Sequence, residues 1–358
     1  MKDRGLQAYF HRDGLFLCQE KYATDLLINA GMKDCSPMPT PLPLQLDKLQ
    51  GQHELFSDPT CFRSLAGKLQ YLTLTRPDIQ FSVNYVYQKM HQPTVSDFQL
   101  LKRLLRYVKS TVRMGINLYS NSASNLTAFS DSDYAGCKDT RRSTGGFCTF
   151  LGTNIIYWSA KRHPTASKSS TEAEYQTMSE VASEMKWISS LLRNLGIAQP
   201  DTLELFCDNL SAIYLSANPT LHNPSKHFDT DFHYVRERVS LGTLVVKHIP
   251  THSRITYVFT KSLPQQPFCA LRSKLGVCLP PNTIELNKRR EVGLATKPEP
   301  TKSVPQTLHQ DRGSLQNCDA RTVKSVPQIK LSTTVKPAPQ IKLNNRYDCL
   351  LSQDAFDN

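Results

Sequence analysis

Phe129-Ser130-Asp131-Ser132-Asp133-Tyr134-Ala135-Gly136 decides how this chain is read. An apolar, β-prone run from Leu126 leads into two acids and then into small residues, which puts Asp131 at or near the end of a strand. A solvated turn acid would explain that alone, so the neighbouring acids matter. Ser170-Thr171-Glu172-Ala173-Glu174-Tyr175 opens a helical stretch from Ser169 to Asn194, and Glu172 and Glu174 also suit the positive end of its dipole. Leu203-Glu204-Leu205-Phe206-Cys207 is a further strand that gives way, at Asp208-Asn209, to another expected helix, where Asp208 would serve equally as an N-cap.

With Gly145 to Leu151, Ile155 to Ser159 and Leu244 to Ile249 as the other strands, the order becomes strand–Asp, strand, strand, helix–Glu, strand–Asp, helix. That order predicts an α/β region of mixed sheet with flanking helices over residues 121–278. Hydrolysis of a phosphodiester near neutral pH is well served by divalent cations held on acidic side chains. Magnesium takes hard oxygen ligands and keeps several waters, so a few carboxylates at strand ends and on a facing helix suffice.

Upstream, Gly14-Leu15-Phe16-Leu17-Cys18 reads as a strand and Gln19 to Ala30 as a helix stopped by Gly31. A loop carrying Pro37, Pro39, Pro41 and Pro43 follows. Apolar residues then recur at three- and four-residue spacing from Asp58 to Val112, and Pro77 and Pro93 divide this region into three helices. After Cys278, Lys, Pro, Gln, Thr and Ser dominate, so residues 279–358 are expected to be a disordered tail. Lys302-Ser303-Val304-Pro305-Gln306 recurs in it at Lys324 to Gln328, and Pro327 to Leu331 recurs at Pro339 to Leu343. Such repeats need carry no function; the other reading is a short linear binding motif.

Lys and Arg number 43 against 31 Asp and Glu, a formal charge of +12, which favours a polyanionic partner through release of condensed counterions. The ten cysteines are scattered, with no pair at C-x-x-C spacing, which removes the usual support for a zinc ribbon. No long apolar run or amino-terminal signal pattern occurs, so an intracellular protein, in a cytoplasmic particle or the nucleus, is expected, with no membrane partner and no small-molecule cofactor.

Ser130-Asp131-Ser132-Asp133-Tyr134-Ala135-Gly136-Cys137, followed by Asp139-Thr140-Arg141-Arg142-Ser143-Thr144-Gly145-Gly146, resembles the RNase H opening of copia-type retrotransposon polyproteins. Lys168 to Tyr175, Cys207-Asp208-Asn209, Lys226-His227 and His233-Tyr234-Val235-Arg236-Glu237 continue the likeness. Gly14 to Met32, Pro39 to Leu42, Arg63 to Gly67 and Thr75 to Ile79 look like the family's end of palm and thumb or connection. The resemblance covers roughly residues 1–277. It implies a palm remnant over 1–50, a helical thumb- or connection-like region over 51–120 and an RNase H-like domain over 121–278. The aromatic-x-Asp-Asp strand and fingers of a polymerase do not occur, so DNA synthesis is not expected.

By motif position the resemblance makes Asp131, Glu174 and Asp208 metal-binding and catalytic, serving two Mg2+ or Mn2+ ions that cut the RNA of an RNA–DNA hybrid. Spacing prefers Asp131 to Asp133 and Glu174 to Glu172. The fourth acid is the departure: an Ala-Asp pair is expected a few residues before Thr-Lys-x-Leu-Pro, and Tyr257 stands at the Asp position in Arg254 to Pro264. Tyrosine is neutral near pH 7 and offers no hard anionic oxygen, and no Asp or Glu lies between Glu237 and Glu285. Either hydrolysis survives on three acids or the region is an inactive, nucleic-acid-binding remnant. His252 is a candidate proton or product shuttle, while Pro250 argues against a His248–His252 metal pair. Arg141, Arg142, Lys161, Arg162 and Lys168 flank the acids as candidate phosphate contacts, with Lys102, Arg103 and Arg106 further away.

Overall fold

The computed structural model describes residues 5–46, 54–200, 202–218, 226–250 and 254–281. His252 and nearly all of the expected tail lie outside the described residues.

β1 (Gln7–His11) and β2 (Gly14–Cys18) form an antiparallel hairpin. α1 (Glu20–Asn29) buries Ala23, Leu26 and Leu27 and stops at Gly31, whose φ of +65° is open to glycine without steric cost. α2 (Pro59–Leu72) has Pro at its first position and is capped by Asp58, which accepts from the Cys61 amide at 2.9 Å. A 3-10 turn at Pro77–Ile79 leads into α3 (Gln80–Tyr87), and α4 (Val95–Ser110) opens with a reciprocal Thr94–Asp97 capping box. β3 (Gly115–Tyr119) then pairs with β2.

The second sheet begins with β4 (Leu126–Asp133), β5 (Thr144–Leu151) and β6 (Asn154–Arg162), an antiparallel meander. α5 (Ser170–Asn194) returns the chain to β7 (Leu203–Cys207), which lies parallel to β4. After α6 (Leu210–Ala217) and α7 (Lys226–Ser240), β8 (Leu244–His248) adds parallel to β7. The strand order β6-β5-β4-β7-β8 is the RNase H-like mixed sheet that the order of motifs predicts. The short α8 (Tyr257–Thr260) and α9 (Gln265–Lys274) follow, and β9 (Val277–Cys278) closes back onto β3 to complete a four-stranded sheet, β1-β2-β3-β9.

Side chains alternate across a strand, so the five-stranded sheet has two apolar faces. Leu126, Ala128 and Phe147 face Tyr175, Met178 and Val181 of α5 and Phe232 and Val235 of α7. Cys148, Phe150 and Ile155 belong to one continuous core with Leu69, Leu72, Val83, Leu101 and Leu105 of the helices and with Phe259. Each fully buried Leu or Phe contributes about 1.5–3 kcal/mol, so the helices and this sheet stabilise one another. The indole of Trp158 reinforces the join by donating to the Thr73 carbonyl at 3.2 Å.

One ion pair lies inside the helical region. Arg76, 1% exposed, donates from Nε and Nη2 to the Asp78 carboxylate at 2.9 and 2.8 Å, and to the Thr111 carbonyl and hydroxyl at 2.9 and 2.8 Å. The Tyr107 hydroxyl adds a bond to Asp78 at 2.5 Å. Burial alone would raise the Asp78 carboxyl, but Arg76 and Tyr107 hold it below the usual carboxylate range.

Candidate active site

Because β4 and β7 are adjacent and parallel, their carboxyl ends lie side by side. Asp131 stands near the end of β4 and is 3% exposed; Asp208 follows the last residue of β7. α5 crosses this edge with its first turns, and Glu174 there accepts a hydrogen bond from the Ser132 amide at 3.0 Å. The three acids that the sequence singled out are therefore brought together by one parallel strand pair and one helix.

The local alternatives are resolved by hydrogen bonding. Glu172 is the capping acid of α5: its carboxylate accepts from the Lys168 amide at 2.8 Å, while Ser169 Oγ accepts from the Glu172 amide at 3.1 Å. Glu174 is left to face the site. Asn209, not Asp208, is the N-cap of α6 and accepts from the Ala212 amide at 3.0 Å. Asp208 is thus free of the role that would have explained it without chemistry.

Glycine makes room for α8. Gly146 pairs with Asp131 across β4 and β5, and a Cβ at Gly146 would meet Phe259 Cβ at 2.6 Å and Thr260 Cγ2 at 2.8 Å. Its absence lets Thr260 reach the site and donate to Asp131 Oδ2. Burial raises the Asp131 carboxyl above its ordinary range, with Asp208 adding to the effect and Lys261, Thr260 and Arg254 opposing it. Glu174 is driven higher still, first by burial and then by the charges of Asp131 and Asp208. Ligand atoms of Glu174, Cys207 and Asp208 lie within 4.8 Å of one another. Burial and Glu174 push the Cys207 thiol up.

Where the fourth acid is expected, a neutral tyrosine stands with two cationic side chains beside it. Tyr257 opens α8, and Arg254 Nη1 donates both to its hydroxyl and to Asp208 Oδ2. Lys261 Nζ stands 3.9 Å from the centre of the Tyr257 ring. Arg254, Thr260 and Lys261 all lie in the stretch containing Tyr257, but the sequence reading had no reason to aim them at the acids.

Lys161 and Arg162 end β6, where Ala160 pairs with Gly146 and Gly146 in turn with Asp131; two strand spacings put them roughly 10 Å across the sheet from the acids. Lys161 and Lys168 are exposed, the latter just before α5. Arg162, with Lys138, Lys261 and Asp133, lines a cleft of about 230 Å³ between this sheet and α3. Arg141 and Arg142 are exposed on the turn between β4 and β5, where Arg141 has a φ of +54°. Arg103 and Arg106 are tied to the proline loop, donating to Thr40 Oγ1 at 2.9 Å and to the Ser36 carbonyl at 2.7 Å. His248 ends β8 opposite Cys207. Among the described residues no helix is long and apolar enough to cross a membrane.

No family model matches the chain. It is 57% identical over 197 residues to the uncharacterized mitochondrial protein AtMg00810 of Arabidopsis thaliana, covering 53% of this chain and 82% of that protein. It is 42% identical over 280 residues to the retrovirus-related Pol polyprotein from transposon RE1 of the same plant, and 32% identical over 272 residues to that from transposon TNT 1-94 of Nicotiana tabacum. These matches cover 78% and 74% of this chain but only 19% and 20% of the polyproteins. Among solved structures, RNase H1 from the halophilic archaeon Halobacterium salinarum aligns with a TM-score of 0.27 at 13% identity, over 37% of this chain and 90% of that one. These identities show that the chain belongs to the family of retrovirus-related Pol polyproteins of copia-type transposons.

Proposed function

We propose that the acid-bearing sheet hydrolyses the RNA strand of an RNA–DNA hybrid. The convergence of Asp131, Glu174 and Asp208 at the ends of β4 and β7 carries this reading. Asp131, Glu174 and Asp208 offer the hard carboxylate oxygens that Mg2+ or Mn2+ prefers. Such an ion, when bound, supplies an activated water and stabilises charge on phosphate oxygens. The two-ion arrangement needs a further anionic oxygen on the side where Tyr257 stands, and the residues there do not fit a second ion.

The chain's own groups would do the rest. The Ser132 amide orients Glu174 and the Thr260 hydroxyl orients Asp131. Arg141, Arg142, Lys161, Arg162 and Lys168 would hold the sugar-phosphate backbone, which for a hybrid is recognised by shape, charge and 2′-hydroxyls more than by base sequence. His252 would accept or release a proton as product leaves.

A second reading, a hybrid-binding domain that no longer cuts, is favoured by one observation: Arg254 already occupies an oxygen of Asp208. Both readings meet in an assay of the full chain on an RNA–DNA hybrid labelled in the RNA, with Mg2+ or Mn2+. Cleavage that disappears in Asp208→Asn supports the enzyme. A parent that binds hybrid without cutting it supports the second reading, and a folded parent that neither binds nor cuts contradicts both.

A further inference from the structure

The cationic side of the site has a shape of its own. Arg254 Nη1 bridges Asp208 Oδ2 and the Tyr257 hydroxyl, and the guanidinium carbon lies 5.3 Å from the centre of the Tyr257 ring. Lys261 covers the same ring at 3.9 Å. The phenol thus acts as a platform that presents Arg254 to a carboxylate only 9% exposed at its side chain. Arg76 places donors from all three nitrogens, whereas among the described residues Arg254 Nε, like that of Arg103 and Arg272, has no hydrogen-bond partner.

We propose that Arg254, steadied by Tyr257, is a tethered cation that competes with a divalent ion for Asp208. The proposal rests on reading the three acids as a metal site. A guanidinium on Asp208 occupies a lone pair the ion needs, and its charge repels a dication arriving in a partly buried site, where charges interact more strongly than in water. Arg254 pairs with Asp208 and Lys261 acts on Asp131, so positive charge already offsets part of the acids' pull on a cation. The two departures from the expected pattern work as a unit: an acid installed at position 257 alone would be neutralised by Arg254 and Lys261. Arg254 must leave before that acid can serve an ion.

Direct Mn2+ binding tests this without substrate: free Mn2+ is followed by electron paramagnetic resonance as each folded full-length protein is titrated. The parent is expected to bind at most one Mn2+, and Arg254→Gln to bind it at least about tenfold more tightly. Arg254→Lys keeps the charge and is expected to stay within about threefold of the parent. Tyr257→Asp alone should add no second ion, while Arg254→Gln with Tyr257→Asp should. Equal affinity in parent and Arg254→Gln, or a second ion gained by Tyr257→Asp alone, would overturn the competition. If no variant bound Mn2+ at millimolar concentration, the metal-site reading would fail with it; tight binding indifferent to residue 254, in a parent that cuts hybrid, would remove this proposal alone.

Discussion

Asp78 beneath the helices and Asp131, Glu174 and Asp208 at the sheet are all carboxylates withdrawn from water, yet the two regions treat them in opposite ways. Around Asp78 each charge has a partner: Arg76 is bidentate, Tyr107 donates, and the carboxyl is held below its ordinary range. At the sheet the three acids draw on the Ser132 amide, the Thr260 hydroxyl, Arg254 and Lys261, and Asp131 and Glu174 are still held above theirs. A cluster that is complete holds helices together. One that is short of positive charge is costly to fold, and that cost is what an incoming cation would relieve.

The sharpest way to break the comparison is to unpair the first cluster. Arg76→Met leaves Asp78 buried without its cation and should destabilise the chain by about 3–5 kcal/mol, read as a lower urea midpoint. A loss below about 1 kcal/mol would mean that the pair is not what holds this region.

A second test uses a titrating group of the same sheet that is not one of the acids. His163, 2% exposed and bonded to Thr177 Oγ1 at 3.1 Å, is pulled down to about 4 by burial and by Lys161. Its folded pKa is depressed, so the unfolded chain takes up the proton first as pH falls. Its contribution is fully present above about pH 6.5 and is lost toward pH 4, amounting to about 3 kcal/mol. Urea midpoints of parent and His163→Gln across that window should differ in slope; identical slopes would count against a buried neutral imidazole.

Smaller changes separate the two helix-start acids. Glu174→Gln removes one of three crowded charges while keeping an oxygen for the Ser132 amide, and should raise stability by about 1 kcal/mol in metal-free buffer. Glu172→Gln only weakens a cap and should cost about 0.5 kcal/mol. Reversed signs in chemical denaturation would show that the roles of these residues had been exchanged.

Much of this was legible in the sequence. Gly14–Cys18 and Leu203–Cys207 form strands at the predicted bounds, and the remaining strands of the five-stranded sheet differ by a few residues at their ends. β1, β3 and β9 were not predicted. They are short and mixed in polarity, and β3 and β9 are held by partners far away in sequence, which local pattern does not reveal. The acids were visible because the order of strand and helix repeats a known plan. The competing roles of Glu172 and Asp208 were not separable until the amides of Lys168 and Ala212 had found their acceptors. Arg254 was hidden for a different reason: a cation's target is set by the fold, and Asp208 is remote from it along the chain.

The most direct measurement is the thermal unfolding midpoint of the full chain with and without millimolar Mn2+, for parent, Glu172→Gln and Glu174→Gln, since an ion that binds only the folded state must raise it. Three acids forming one cation site predict that the midpoint rises equally in parent and Glu172→Gln and not in Glu174→Gln. A rise in Glu174→Gln as large as the parent's, or none in any of the three, would contradict it.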